Sequence, residues 1–515
     1  MEKYPDLAKC TGGFFRYCVH APEARAVIEK YLRIVIPLIK DHKAIHSVCL
    51  SNEPLSLDGD HCPILKAQWP VWLKTKYHDI ATLNDTYKTQ YKDFAEIAVP
   101  ATINDTKEAT PLIYDFIRFN QETFADFHKW MADVIHEMAP KLPVHSKIMM
   151  GPFFHYNPAG LWSIDPQLFS ELSEINGNDH YCGPSGSSIW YSQWPNFLMG
   201  LDFQRSMKDV PVFDSETHLI QDRNFDDIWP QHTYMSHIQA AVHGQSASTM
   251  WVWERTNNPM SDFAGSVLHR PRHALAVSEA AMDLMRLAPE VTALQQRKPQ
   301  VALLYSPASV LFGKNHSRAM GQIWECLEFL DQPSAFFTER TLERIADGGS
   351  LPEQLSAVKF IILPNVSNLP ELALKGLDKL RRDGIILIWI GGLPSADEHC
   401  RPLSVSISTD IVTPLLPEDI QQRFDFIQQT LANQKLASPV LALDNEGKPA
   451  FGVQVRSVEY NGQTIVNLCN QTRRPVIVNL TKNGELVSSM DLLSLTEQPA
   501  IMVLPPVHPF ILKLK

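Results

Sequence analysis

Over roughly the first 295 residues, short apolar runs take turns with amphipathic helical segments, and that alternation restricts the fold more than any other feature. Parallel strands need a crossover between them, usually a helix, so the rhythm predicts a parallel α/β architecture. Candidate strands are AIHSVCLSN (44–52), SKIMMG (146–151), INGNDHY (175–181), VPVFDSE (210–216) and SASTMWVWE (246–254). The clearest helix begins at Pro111, which suits a first helical turn. Leu112, Phe116, Phe119, Phe127, Met131, Val134 and Met138 recur at three- or four-residue spacing, and Pro140 ends it. A second helix, 22–42, carries Pro37 inside it, which predicts a kink or an early end.

Near residue 297 the texture changes. Strand-like VALLY (301–305), SAFFTE, VKFIILPN (358–365) and IILIWIGG (385–392) alternate with helical segments, the pattern of a small flavodoxin-like doubly wound sheet. No GxGxxG or GxxxxGK[ST] accompanies it, so no nucleotide is implied. From about 449 onward, short alternating runs predict a small C-terminal β-sandwich, with Asn461–Gly462 as a hairpin turn. The expected domains are 1–296, 297–400, a connecting segment 401–445 with one helix, and 446–515.

A formal charge of −11 without a basic run argues against a nucleic-acid partner. No apolar run is long enough to span a membrane. The eight cysteines form no CxxC pair, and several lie in apolar runs, so buried thiols are expected rather than disulfides. The N-terminus lacks a secretory pattern, and a cytoplasmic compartment is favoured.

Two strands of the first segment end in glutamate, Glu53 in SVCLSNEP and Glu216 in VPVFDSETH. In a parallel barrel, working groups project from the C-terminal strand ends. Two carboxyls placed so are the minimum for glycoside hydrolysis, one protonating the leaving oxygen and the other attacking the anomeric carbon or activating water. Asn52 is placed to hydrogen-bond a sugar hydroxyl. A single strand-end Glu is more often structural; the pair is what raises the reading.

The stretch from Asn52–Glu53 through Trp72, Leu73, Lys76, Tyr77, Leu83, Asn84, Tyr87 and Pro100 resembles glycoside hydrolase family 42, within the clan of retaining barrel hydrolases. The resemblance extends over essentially the whole chain and is weakest at 400–445. It implies strands four to eight of a (β/α)8 TIM barrel, a trimerisation-type domain and a C-terminal β domain. It also implies Glu53 as acid/base, Glu216 as nucleophile, and a β-galactoside or related β-glycoside as substrate. In that frame Tyr181 or His180 holds the nucleophile, Trp251 or Trp253 forms a sugar platform, and a homotrimer is expected; no cofactor is implied.

Two departures matter. Many members hold zinc in a cysteine cluster after the Asn-Glu strand, but only Cys62, beside His61, stands there, so no metal is expected. Counted back from Glu53, strands one to three are missing. A gene model that begins late, a fragment of a longer chain, and strands supplied from elsewhere would each account for this. The first two are favoured because open edges are costly. Either would also hide a leader sequence.

Glu254 is a rival nucleophile, although Arg255 beside it favours a salt bridge. Asp214, two residues before Glu216, should point to the same side by strand alternation. Asp58 and Asp60 read as a solvated turn. His180 and His218 are expected at sugar hydroxyls, with His145 and His155 left open. Trp190, Tyr191 and Trp194 form either a stacking wall or interface core. The rival reading is a non-catalytic carbohydrate-binding or scaffold protein on a truncated barrel. A metal-dependent hydrolase would need a ligand cluster that the sequence does not display.

Overall fold

The computed structural model describes residues 17–55, 63–100, 110–151, 163–185, 188–220, 228–253, 266–313 and 315–515. Five strands, β1 (Val48–Asn52), β2 (Val144–Met149), β3 (Asn176–Tyr181), β4 (Val212–His218) and β5 (Gln245–Met250), form an all-parallel sheet in consecutive order. Helices α1 (Pro22–Ile39), α2 (Pro63–Tyr77), α3 (Ile80–Tyr87), α4 (Pro111–Met138), α5 (Pro166–Glu171), α6 (Trp194–Met207), α7 (Pro230–Val242), α8 (Pro271–Arg286) and α9 (Ala288–Gln295) accompany it. Thr110 caps α4 by accepting from the Ile113 N–H, and the Phe116, Phe119 and Phe127 side chains are buried as the periodicity predicts. Pro37 does not break α1; the helix ends two residues later, at Ile39.

The polar members of the 72–87 stretch are structural. Lys76 Nζ (2.6 Å), Tyr77 Oη (2.5 Å) and Tyr87 Oη (2.7 Å) all donate to the fully buried carboxylate of Asp115 on α4. The His399 ring, from the second unit, meets the same carboxylate at 3.0 Å. Lys76 first, then His399, hold the Asp115 carboxyl below its ordinary range against the opposing effect of burial, the largest single influence.

In the second unit β6 (Val301–Tyr305), β7 (Ser334–Thr338), β8 (Phe360–Pro364), β9 (Ile386–Ile390) and β10 (Ile411–Thr413) lie in the order β10-β9-β8-β6-β7, all parallel. This is the 2-1-3-4-5 order of flavodoxin-like sheets. Helices α10 (Pro307–Phe312), α11 (His316–Glu328), α12 (Glu339–Ala346) and α13 (Glu371–Arg382) follow its strands.

The remainder is a two-layer antiparallel sandwich. One sheet holds β11 (Val440–Leu443), β14 (Val476–Lys482), β15 (Glu485–Leu486) and β18 (Ile501–Leu504). The other holds β12 (Val453–Tyr460), β13 (Gln463–Asn470), β16 (Ser489–Asp491), β17 (Thr496–Gln498) and β19 (Pro509–Leu514). Val440, Val478 and Leu504 of one layer share a core with Val455, Leu468 and Leu512 of the other. Asn461 (φ 50°) and Gly462 (φ 74°) make the expected two-residue turn between paired Tyr460 and Gln463. The 401–445 stretch carries α14 (Ile420–Asn433) as expected, and also β10 and β11, which extend the sheets on either side.

One buried cluster ties the three units together. Arg456 of β12 bonds Asp202 of α6 (3.2 Å) and Glu328 of α11 (3.3 Å), and His243 meets Asp202 at 3.0 Å. Of the five described free cysteines, Cys182, Cys326 and Cys469 are buried thiols as expected, whereas Cys49 and Cys400 are exposed; Cys18 departs from the expectation, being disulfide-bonded. Spacing without a motif does not reveal such a pairing.

Among the described residues β1 and β5 are the edges of the first sheet. Helices near both edges turn apolar stripes outward: Val27, Tyr31, Ile34 and Leu38 on α1, and Leu275, Met282 and Met285 on α8, each more than half exposed. Such patches promote association. The Ile34→Glu/Leu38→Lys double variant is expected to lower light scattering on concentration or heating and to leave the melting temperature nearly unchanged. Arg456→Met, which strands two buried carboxylates, is expected to cost about 3–5 kcal/mol in urea unfolding.

Candidate active site

The site lies at the C-terminal ends of β1 to β4, on the face of the sheet opposite α4 and α6. Alternation along β2 puts His145, Lys147 and Met149 on this face. Register carries the same side across to Asn52 on β1, opposite Lys147, and to Asp179 on β3, opposite Met149 and Glu216. The pairing slips by one residue between Cys49 and Asn52, and again between Asp214 and Glu216. Such bulges re-aim side chains at strand ends. Glu53 follows at once with φ 42°, a left-handed conformation that is uncommon outside glycine and costs backbone energy.

Four strands thereby converge on one ammonium. Lys147, 4% exposed, donates from Nζ to Glu216 Oε2 and lies 3.6 Å from Asp179 Oδ2 and 3.9 Å from Glu53 Oε1. His218 Nε2 sits 3.3 Å from the other Glu216 oxygen and 3.7 Å from Asp179 Oδ1. Glu53 and Glu216, 163 residues apart, therefore share one gap. Burial pushes the Asp179 carboxyl up to about 7, with the Lys147 charge opposing and the Glu53 charge adding. The ligand atoms of Asp179, Glu216 and His218 lie within 4.8 Å of one another, a spacing that would suit a cation. The positive charge that the structure sets against Glu216 is Lys147.

Other expected site residues divide. Tyr181 and Trp251 are at the site, their rings 6.3 and 5.9 Å from that of His218. Trp253, two residues after Trp251, is half exposed. His180 is turned to the helix side, its ring edge-on to Phe197 at 5.2 Å, because it alternates with Asp179. Trp190 is not at a sugar wall: buried, it donates to Glu325 at 3.2 Å and packs on Trp194, Phe329 and Phe451 between units. Trp194 belongs to the same core, while Tyr191 is partly buried under Arg473. His145 is buried against Phe213. Asp58, Asp60, His61, Cys62, His155, Glu254 and Arg255 fall outside the described residues.

Lys147 and Asp179 went unread in the sequence, although a lysine inside the apolar run SKIMMG is a signal. Asp214 overturns the expectation from alternation. The extra residue Ser215 sets Asp214 opposite Asn178, on the helix side and away from Glu216's face. There it is fully buried, and burial raises its carboxyl to about 8.

A family model described as beta-galactosidase, glycoside hydrolase 42, matches residues 7–284. The chain belongs to glycoside hydrolase family 42. Beta-galactosidase Pbg of Clostridium perfringens is 22% identical over 328 residues, 59% of this chain and 46% of that protein. Beta-galactosidase BglY of Alicyclobacillus acidocaldarius is 23% identical over 311 residues, 56% of this chain and 43% of its own. The family 42 chain thus spans under half the length of these two relatives. Among solved structures, the apo exo-carrageenase of Bacteroides ovatus superposes with TM-score 0.87 at 20% identity, covering 100% of this chain and 73% of that one. The beta-galactosidase of Bacillus circulans gives 0.75 at 15%, covering 100% and 87%. At these identities the likeness is one of fold.

The Asp214 carboxyl yields a pH prediction. Its folded value, about 8, lies above the ordinary 3.8, so folding holds a proton that the unfolded chain releases. Its contribution is therefore complete below about pH 4 and is lost as pH rises through about 8. Asp214→Asn is expected to gain melting temperature over the parent progressively across that window. A constant difference would show that Asp214 ionises normally.

Proposed function

We propose that this chain carries the catalytic centre of a retaining glycoside hydrolase acting on β-galactosides or related β-glycosides. The observation that carries this reading is the convergence of Glu53 and Glu216 on the one Lys147 ammonium. Glu216, bonded to Lys147 and His218, is suited to attack the anomeric carbon; Glu53, a quarter exposed at the mouth, is suited to protonate the leaving oxygen. A retaining mechanism sets its two carboxyl groups about 5–5.5 Å apart. Asn52, on the same face, supplies a hydroxyl contact, and Trp251 a ring for the sugar's C–H face. Three carboxyls against one ammonium favour a neutral ring at this gap over one bearing an anionic substituent.

In the same reading β1 to β5 are strands four to eight of a barrel. Their edges and the stripes on α1 and α8 are the surfaces that further strand–helix units would cover. Those open edges also favour a second reading, a non-catalytic carbohydrate-binding scaffold.

Glu53→Gln is expected to lower hydrolysis of an aryl β-galactoside about 100-fold or more. Glu216→Ala is expected to abolish it, and azide should then yield a glycosyl azide of inverted configuration. Full activity in Glu216→Ala would refute the assignment. Galactoside binding by calorimetry without turnover would favour the scaffold.

A further inference from the structure

Lys147 is expensive to bury. Taking an ammonium out of water costs several kcal/mol unless nearby charges and hydrogen bonds restore it. Here the partners come from three different strands: Glu53 after β1, Asp179 on β3 and Glu216 on β4, with His218 on the far oxygen of Glu216. A lysine needed only to fasten two strands would require one carboxylate. This one stands between Glu53 and Glu216.

Resting on the hydrolase reading, we propose that Lys147 is a positioning residue that keeps the charge of the site balanced through both displacements. In the resting site its ammonium holds Glu216 ionised and fixes the direction of Oε2. In the first step a Glu216 oxygen bonds the anomeric carbon, the glycosidic C–O bond breaks, and the leaving oxygen takes the proton of Glu53. The carboxylate charge has then moved from Glu216 to Glu53, and the ammonium, already 3.9 Å from Glu53 Oε1, pairs with it. In the second step a water oxygen bonds the anomeric carbon as the ester bond breaks. Glu53 takes the water proton, and Glu216 regains both its charge and its bond to Lys147. Asp179, 3.6 Å from the ammonium, is its third acidic neighbour, and burial raises that carboxyl to about 7.

The test is a carboxyl titration that needs no turnover. The full chain labelled with 13C-glutamate is followed by infrared difference spectroscopy, with Glu216→Gln identifying the Glu216 band. In Lys147→Met that band is expected to titrate about one to three pH units higher than in the parent. Lys147→Arg, which keeps the charge, should restore most of the difference, and Lys147→Gln gives the same comparison if methionine there does not fold. Unchanged titration in the neutral variants overturns the proposal whatever Glu216 does in catalysis. Conversely, a fully active Glu216→Ala would sink the hydrolase assignment and leave the Lys147 effect standing. In turnover, the loss in Lys147→Met is expected in kcat, about 100-fold, with KM little changed. The acid limb of kcat/KM should move upward with the carboxyl, and an unmoved limb overturns the proposal.

Discussion

Three carboxyl groups at neighbouring strand ends repel one another and lose hydration together, and a positive charge among them offsets both costs. Lys147 supplies it from the middle of β2, where its side chain on the inner face bonds Glu216 of β4 and comes within 3.9 Å of Glu53 at the end of β1. The geometry that makes this possible is local irregularity: a slip in β1 before Asn52, another in β4 at Ser215, and a left-handed Glu53. Regular strands would alternate these carboxyls between the two faces. The backbone deviations and the buried lysine therefore belong to one arrangement, in which each is tolerated because the other is present.

What could be read from the sequence was whatever obeys a period. The five strands, the long α4 and the Asn461–Gly462 turn all follow from spacing and turn chemistry, as do the strand-end positions of Glu53 and Glu216. What could not be read depends on a break in period or on a distant partner. Asp214 was misplaced because one extra residue in β4 reverses its side. Trp190 reads equally as sugar wall or core, and the carboxylate that decides it, Glu325, lies 135 residues further on. Lys147 went unread, since nothing local shows that three acids meet it.

The second unit illustrates how a fold's usual ligand position can be given over to structure. In flavodoxin-like sheets the crevice beside the switch in strand order, between β6 and β8, is where ligands bind. Here Ser306, at the end of β6, donates to Glu339 (2.6 Å), and Tyr114 of α4 reaches in to the other Glu339 oxygen at 3.0 Å. Burial raises the Glu339 carboxyl to about 7. The Tyr114–Glu339 bond ties α4 to the ends of β6 and β7, so the second sheet acts as a brace for α4.

The Arg456 cluster extends that bracing to the strands that matter. Buried ion pairs seldom add net stability over apolar packing, so their retention calls for another explanation, and fixing one arrangement of parts is the best attested. Asp202 lies on α6, the connection between β3 and β4, and these strands carry Asp179 and Glu216. Arg456 comes from the sandwich and Glu328 from the second unit. Each bond requires direction as well as proximity, so a shift of either unit against α6 breaks a charged hydrogen bond in a dry interior. The two outer units hold the helix, the helix holds the spacing of β3 and β4, and that spacing sets how Asp179 and Glu216 face the ammonium.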